Sequence, residues 1–146
     1  MAKRNSRRTG SKRIDSDGAL RTALLIRCTV AEAEMIRERA EGERRTISAY
    51  MLRKLSTALQ IEEKLFAGIS RLGRLNPITR EDTRLSEPRT ALLLRCSVEE
   101  SRKIRHAAQR RGATISGFVM HVIRRNWAAM DALQYTVQGT AGPHGS

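Results

Sequence analysis

Arginine carries the clearest chemical signal in this chain, by residue type and by spacing. The 146 residues include 28 Lys and Arg against 15 Asp and Glu, a formal net charge of +13. Arg21 with Arg27, and Arg89 with Arg95, form two pairs with the same spacing. A guanidinium group binds phosphate oxygens and can pair with O6 and N7 of guanine. A polyanion is therefore the first partner to consider, although charge alone does not separate DNA, RNA and anionic lipid.

The other reactive residue types form no recognisable site. Cys28 and Cys96, with three scattered His, lack the spacing of a zinc or redox motif. No Ser, His, Asp or paired-carboxylate constellation stands out, so we expect no enzyme, no metal and no cofactor. Aromatic residues are 3% of the chain, which argues against RNA modules that stack bases on rings. No membrane span or signal peptide is apparent, so we expect a cytoplasmic protein without a membrane partner.

The first 20 residues form a basic segment that we predict to be a disordered arm. Residues 1–13 hold six basic side chains and no acid. A solubilising tail and an arm that adds phosphate or minor-groove contacts are both open interpretations. The basic residues of the arm are Lys3, Arg4, Arg7, Arg8, Lys12 and Arg13.

An internal repeat organises the remaining chain. With an offset of 68 residues, RTALLIRCTVAEAEMIRERA from Arg21 aligns without a gap to RTALLLRCSVEESRKIRHAA from Arg89. The register continues through TIS at Thr46 and Thr114, with about 15 of 39 positions identical. A copy of about 40 residues is too small to bury a core alone. We therefore predict that the two copies pack together as an internal pseudo-dimer.

Each copy reads as strand, helix, helix. Apolar and basic residues alternate before Thr29 and Ser97, as expected for a short strand. Thr29 with Glu32, and Ser97 with Glu100, are capping boxes that begin the first helices. Thr46 and Thr114 are the predicted caps of the second helices. Helical spacing gives the inward stripes Val30, Ala33, Ile36, Ala40; Val98, Ser101, Ile104, Ala108; Ile47, Met51, Leu55; and Ile115, Val119, Ile123.

The predicted domain bounds follow from these elements. Copy 1 spans 21–59 and copy 2 spans 89–134. Between them, 60–88 is a helical linker in which either the second helix continues or a third helix follows. Gly-rich residues end the chain, and 135–146 is predicted to be a flexible tail.

These features together resemble the ribbon-helix-helix family of Arc and MetJ type DNA-binding proteins. The resemblance rests on a short strand with Arg two positions before a Thr or Ser cap, an Ile-centred first helix and a T-I-S start to the second. It covers both copies, a little over half the chain. It implies a mainly α fold with a two-stranded antiparallel β-ribbon that lies in the DNA major groove. Both strands here would come from one chain, which is similar to the tandem single-chain forms among conjugation and mobilisation accessory proteins.

The residues themselves indicate which side of such a ribbon would meet DNA. If Thr22, Leu24, Ile26 and Cys28 face the helices, the alternate residues face outward, where they meet base edges. Arg27 and Arg95 are the leading candidates for base readout, with phosphate neutralisation as the alternative. The two outward leucines either contact thymine methyls or pack under a partner. The predicted base-contacting residues are Arg21, Ala23, Leu25, Arg27, Arg89, Ala91, Leu93 and Arg95.

The start of each second helix is a predicted phosphate site. Free N–H groups and the helix dipole favour an anion there, and the resemblance puts a DNA phosphate at each. The alternative is that Thr and Ser only cap the helix. The predicted phosphate-contacting residues are Thr46, Ile47, Ser48, Thr114, Ile115, Ser116, Arg44, Arg45, Arg110 and Arg111.

The two copies differ in charge, and their cysteines lie far apart. Residues 21–59 carry eight basic and five acidic side chains, whereas 89–127 carry nine and two. We therefore expect copy 2 to supply more of the salt-dependent affinity, at a site that need not be a perfect palindrome. With the ribbon dyad near Leu25 and Leu93, Cys28 and Cys96 fall roughly 20 Å apart, at about 3.3 Å per residue. We expect them to be unbridged, buried apolar filler.

The predicted function is sequence-specific binding of double-stranded DNA in the bacterial cytoplasm or nucleoid. A transcriptional repressor, a plasmid transfer-origin (relaxosome) accessory protein and an antitoxin-type interaction module are the three roles that remain open. A relaxase or a toxin would be a further partner in the second and third roles. Self-association on DNA is also open.

Overall fold

The chain folds as strand, helix, helix, twice over. The computed structural model describes residues 20–69, 77–78 and 87–140, without the side chains of 69 and 137–140. The elements are β1 (Arg21–Thr29), α1 (Val30–Gly42), α2 (Ile47–Ile69), β2 (Arg89–Ser97), α3 (Val98–Arg110) and α4 (Ile115–Thr140). The predicted mainly helical fold with a two-stranded antiparallel sheet is therefore confirmed.

The two strands pair antiparallel, with Leu25 directly opposite Leu93 at the centre of a nine-residue register. Side chains alternate between the two faces of the ribbon, since successive residues of a strand point to opposite sides. Leu24 and Ile26 are 3% and 0% exposed, and their partners across the ribbon, Leu94 and Leu92, are similarly buried. The ribbon thus has one face packed on the helices and one face open.

A capping box turns each strand directly into its first helix. Thr29 Oγ1 accepts a hydrogen bond from Glu32 N–H at 3.1 Å, and Glu32 Oε1 accepts one from Thr29 N–H at 3.1 Å. Ser97 and Glu100 form the same reciprocal pair at 3.0 and 2.9 Å. Such a cap stabilises a helix start by roughly 1 kcal/mol. Both predicted capping boxes are confirmed.

The first helices end in a left-handed residue. Arg44 has φ 53° and Gly112, its equivalent in the repeat, has φ 62°. In both turns the next N–H donates back to a carbonyl five residues earlier, Arg45 to Ala40 at 2.8 Å and its counterpart at 2.9 Å. This is the Schellman arrangement, in which glycine is the favoured residue. Copy 1 therefore holds an arginine in a conformation that suits glycine.

All six elements contribute to one core of buried apolar side chains. Val30 departs from the predicted inward stripe, since its side chain is 38% exposed. Trp127 Nε1 donates to Tyr50 Oη at 3.0 Å inside this core, linking α4 to α2. The stripe residues that are buried as predicted are Ala33, Ile36, Ala40, Met51, Leu55, Ser101, Ile104, Ala108, Val119 and Ile123.

Among the ion pairs that join the copies, two are closely hydrogen-bonded. Arg124 on α4 binds the Glu32 carboxylate on α1 through two hydrogen bonds, at 2.5 and 3.2 Å. Arg111, after α3, binds Glu62 on α2, with Nε 3.0 Å from Oε2. The residues equivalent to Arg124 and Glu62 in the other copy are a serine and a methionine. Neither pair can be repeated by symmetry, so each fixes one copy against the other in a single arrangement.

The second helices run beyond the predicted boundaries. α2 continues to Ile69, ten residues into the predicted linker 60–88, so the second helix runs on rather than stopping at 59. α4 continues to Thr140, so the first six residues of the predicted tail 135–146 are helical. None of the described helices contains a stretch long and apolar enough to cross a membrane.

Candidate nucleic-acid interface

The outward face of the ribbon gathers all eight predicted base-contacting residues on one open surface. Each of the eight is exposed. Leu25 and Leu93, opposite each other at the centre, are 55% and 49% exposed. Large apolar side chains open to solvent on a strand have no packing role within the fold. This surface is therefore available to a partner along its whole length.

Two arginines lie at each end of this face. The register sets Arg95 opposite Ala23, one outward position from Arg21. Arg21 and Arg95 line a shallow depression that continues to residues 46–49 at the start of α2. Arg27 and Arg89 hold the corresponding positions at the other end of the ribbon. Each end therefore combines two guanidinium groups with the N-terminus of a long helix at one edge of the ribbon.

A serine in each second helix is bonded to the outer edge of the opposite strand. Ser48 Oγ accepts a hydrogen bond from Arg95 N–H at 2.9 Å and donates one to Leu93 C=O at 3.3 Å. Ser116 Oγ accepts from Arg27 N–H at 2.9 Å and donates to the carbonyl two residues earlier at 3.4 Å. These bonds satisfy edge groups that a two-stranded sheet otherwise leaves unpaired. They also hold the backbone of both base-readout candidates.

The role of these serines was not predicted from the sequence, although the sequence holds a signal for it. T-I-S is identical in both copies, while the rest of the second helices diverges. The threonine and serine hydroxyls of this motif bind different groups. Thr46 Oγ1 accepts from Ala49 N–H at 3.1 Å, and Thr114 Oγ1 accepts from Gly117 N–H at 3.0 Å. The predicted caps are thus confirmed, and the serines hold the ribbon.

Backbone N–H groups remain available at both helix starts. Between each threonine and the first amide that it caps, two N–H groups have no acceptor among residues 20–69, 77–78 and 87–140. These are the groups of the Ile-Ser steps at 47–48 and 115–116. They carry the partial positive charge of a helix N-terminus. The arrangement can bind one anion on each side of the ribbon.

Arg44 and Arg45 lie beside the start of α2, as predicted. Both are exposed, and both line a shallow depression that reaches Thr46 and Ile47. The Arg45 Nε atom is 3.8 Å from a Glu43 carboxylate oxygen in an exposed pair. Exposed pairs of this kind contribute only about 0–1 kcal/mol, so Arg45 can readily exchange this partner for a phosphate.

Arg110 and Arg111, which were also predicted to contact phosphate, instead contact side chains of α2. Arg111 is held in its ion pair with Glu62, in which the two side chains are 19% and 12% exposed. The Arg110 guanidinium lies over the Phe66 ring, 4.6 Å from its centroid. Both arginines are held by α2, because this helix runs on past residue 59 and supplies the acid and the ring.

These contacts reduce the free positive charge of copy 2. Arg111 and Arg124 of copy 2 are neutralised by Glu62 and Glu32, whereas the exposed arginines at a second-helix start, Arg44 and Arg45, belong to copy 1. Their equivalents in copy 2 are a glycine and an alanine. Part of the excess positive charge of copy 2 is therefore paired within the fold, and the expectation that copy 2 supplies more of the salt-dependent affinity stays a prediction.

The cysteines and one histidine are titratable groups that the core perturbs. Cys28 and Cys96 are free and buried, as predicted. Burial raises the pKa of both thiols, and the nearby carboxylates of Glu32 and Glu100 raise it further. Burial lowers the pKa of His121, and the surrounding arginines lower it further. The two thiols therefore stay protonated, which suits apolar filler rather than a reactive site.

Among the described residues, no three His, Cys, Asp or Glu side chains come together closely enough to hold a metal ion. The predicted arm residues, Lys3 to Arg13, lie outside the described residues. Comparison of the chain with protein-family models, with curated proteins and with solved structures gives no match. Function is therefore inferred from the geometry of the ribbon and its flanks.

Proposed function

We propose that this chain binds double-stranded DNA in a sequence-dependent way, as a tandem ribbon-helix-helix pseudo-dimer. The observation that carries the proposal is an exposed antiparallel ribbon with an arginine pair at each end of its outward face. The major groove of B-DNA is about 12 Å wide and admits a two-stranded β-ribbon. Side chains on the outward face then meet base edges directly.

The charge pattern supports a duplex over other polyanions. The outward arginines project in pairs from fixed backbone positions, because their strands are hydrogen-bonded to each other and to Ser48 and Ser116. A guanidinium group is a planar donor fork that suits bidentate pairing with guanine. The outward face offers no aromatic ring on which a single-stranded base would stack. Double-stranded DNA is therefore the partner that this surface fits.

The flanking helix starts add contacts that do not depend on sequence. Free N–H groups follow Thr46 and Thr114 at the two outer edges of the ribbon. Phosphates on either side of a major groove would lie against them, which fixes the depth and orientation of the ribbon. In the cell, such a protein would act as a transcriptional repressor by occupying an operator.

The test is selection of bound duplexes from a random pool, followed by affinity measurements over a range of salt concentrations. We expect one enriched motif and a log–log salt slope of several units, since each neutralised phosphate contributes about 0.9. The double variant Arg27→Ala, Arg95→Ala should lose preference for the motif. Arg102→Ala, which removes an exposed arginine from α3, is the matched control. Absence of any motif, or a preference for single-stranded RNA, would overturn the proposal.

A further inference from the structure

The outward face of the ribbon is chemically symmetric, although the chain is not. Reading each strand in its own direction, the four outward residues before the cap are Arg, Ala, Leu and Arg in both. The register relates the two sets by a twofold axis through the central leucine pair. A partner therefore meets the same groups at the same places when the ribbon is turned end for end.

This identity is concentrated in the strands. β1 and β2 share seven of nine residues, whereas α1 and α3 share five of thirteen. The first thirteen residues of α2 and α4 share only two. Packing explains identity at buried positions, but Leu25 and Leu93 are 55% and 49% exposed and make no demand on the core. The identity of the outward residues therefore points to the partner rather than to the fold.

We infer that the DNA sequence which this ribbon binds is an inverted repeat, centred on the Leu25–Leu93 pair. The inference rests on the proposed function and specifies its target. Arg27 and Arg95 are four residues apart along the ribbon axis, roughly 14 Å at about 3.4 Å per residue. Set at equal distances from the centre of the ribbon, they reach two guanines related by the same twofold axis, one on each DNA strand. The central leucines contact thymine methyls between them.

The two copies differ in charge beside the ribbon rather than on its outward face. Arg44 and Arg45 flank the ribbon at the α2 end, where the α4 end has Gly112 and Ala113. These residues lie beside helix starts, where phosphates rather than base edges would sit. They change affinity without changing the preferred sequence. We expected a DNA site that need not be a perfect palindrome. On this inference the bases of the site are symmetric, and only the phosphate contacts differ between its two halves.

The experiment uses the full chain and the duplex motif from the random-pool selection, set in non-symmetric flanks. Two altered duplexes replace the guanine of one half-site, either left or right. Each is measured against wild type, Arg27→Ala and Arg95→Ala. Because these arginines are exposed, the variants should fold normally, which circular dichroism and thermal melting check.

Wild type should lose roughly 5- to 150-fold on either altered duplex, the usual range for one bidentate contact. Each variant should bind both altered duplexes about as well as the intact motif, because the protein can turn to set its missing arginine over the altered half. A motif with unlike halves, or a variant that tolerates only one altered duplex, would overturn the inference and leave DNA binding intact. Failure to enrich any motif would instead overturn the proposed function.

Discussion

Arg44→Gly should stabilise the protein and weaken its binding to DNA. Arg44 has φ 53°, and its repeat equivalent is already a glycine at φ 62°. An L-residue in the left-handed region costs roughly 1–2 kcal/mol. Glycine returns part of this, about 0.4–1 kcal/mol, through the greater entropy of the unfolded chain. The net gain is about 0.5–1 kcal/mol, or about 1–4 °C in Tm for a chain of this size.

The same substitution removes a positive charge from the start of α2. If Arg44 contacts one phosphate, the log–log salt slope should fall by about 0.9. Taking 1 M salt as the reference, the corresponding loss of affinity at 0.1 M salt is at most about eightfold. Stability and affinity therefore move in opposite directions, which is expected where strain is kept at a functional position.

Differential scanning calorimetry and fluorescence anisotropy over a salt series measure the two effects. Arg44→Ala is the matched control, since it removes the charge and keeps a side chain in the left-handed conformation; it should lose affinity without the gain in stability. The reciprocal change, Gly112→Arg, should lose about 1 kcal/mol and steepen the salt slope. A fall in Tm for Arg44→Gly, or an unchanged salt slope, would refute this reasoning.

Three further predictions concern how the ribbon and the two copies are held together. Ser48→Ala and Ser116→Ala should each lower the free energy of unfolding by about 0.5–1.5 kcal/mol, the net contribution of a hydrogen bond. The two variants should also weaken binding to the motif by similar factors, and unequal losses of motif affinity would count against a shared role. Glu62→Gln should lower the free energy of unfolding in urea by roughly 1–3 kcal/mol, because Arg111 loses its charged partner. A double-mutant cycle with Arg111→Ala should show coupling between the two residues, and additive losses of stability would contradict this. The lowered pKa of His121 favours its neutral form in the folded state, so its contribution to stability is full above pH 6.5 and is lost as pH falls through the lower folded pKa. His121→Gln should therefore flatten the profile of Tm against pH below pH 6.5, and an unchanged profile would show that the pKa of His121 is not lowered.

Local sequence patterns predicted the helix starts, the order of the elements and the two faces of each strand. Capping at Thr29 and Ser97 and the order of the elements follow from residue types at short spacing. The central pairing of Leu25 with Leu93 is a long-range contact, and it was predicted from the 68-residue repeat and the family resemblance. Alternation along each strand then assigns inward and outward faces. The outward residues that we propose to meet DNA could therefore be named from the sequence alone.

The ends of the second helices could not be predicted in the same way. Residues 60–67 are good helix formers with no breaker before Gly68, so local propensity allowed either a continued second helix or a third helix and did not decide between them. The partner of Arg111 depends on that extension, since Glu62 lies on it. A count of charges along the sequence gives copy 2 the larger positive charge. Ion pairs between the copies remove part of that charge, and these long-range pairs cannot be predicted from local patterns.

The measurement that tests the central claim most directly is an NMR titration of the ¹⁵N-labelled chain with the selected duplex. We predict that the largest amide shifts fall in 21–29 and 89–97 and at the starts of α2 and α4, with small shifts in the second halves of those helices. Shifts concentrated in the second halves of α2 and α4, with both strands unperturbed, would contradict the claim that the ribbon is the DNA-binding surface.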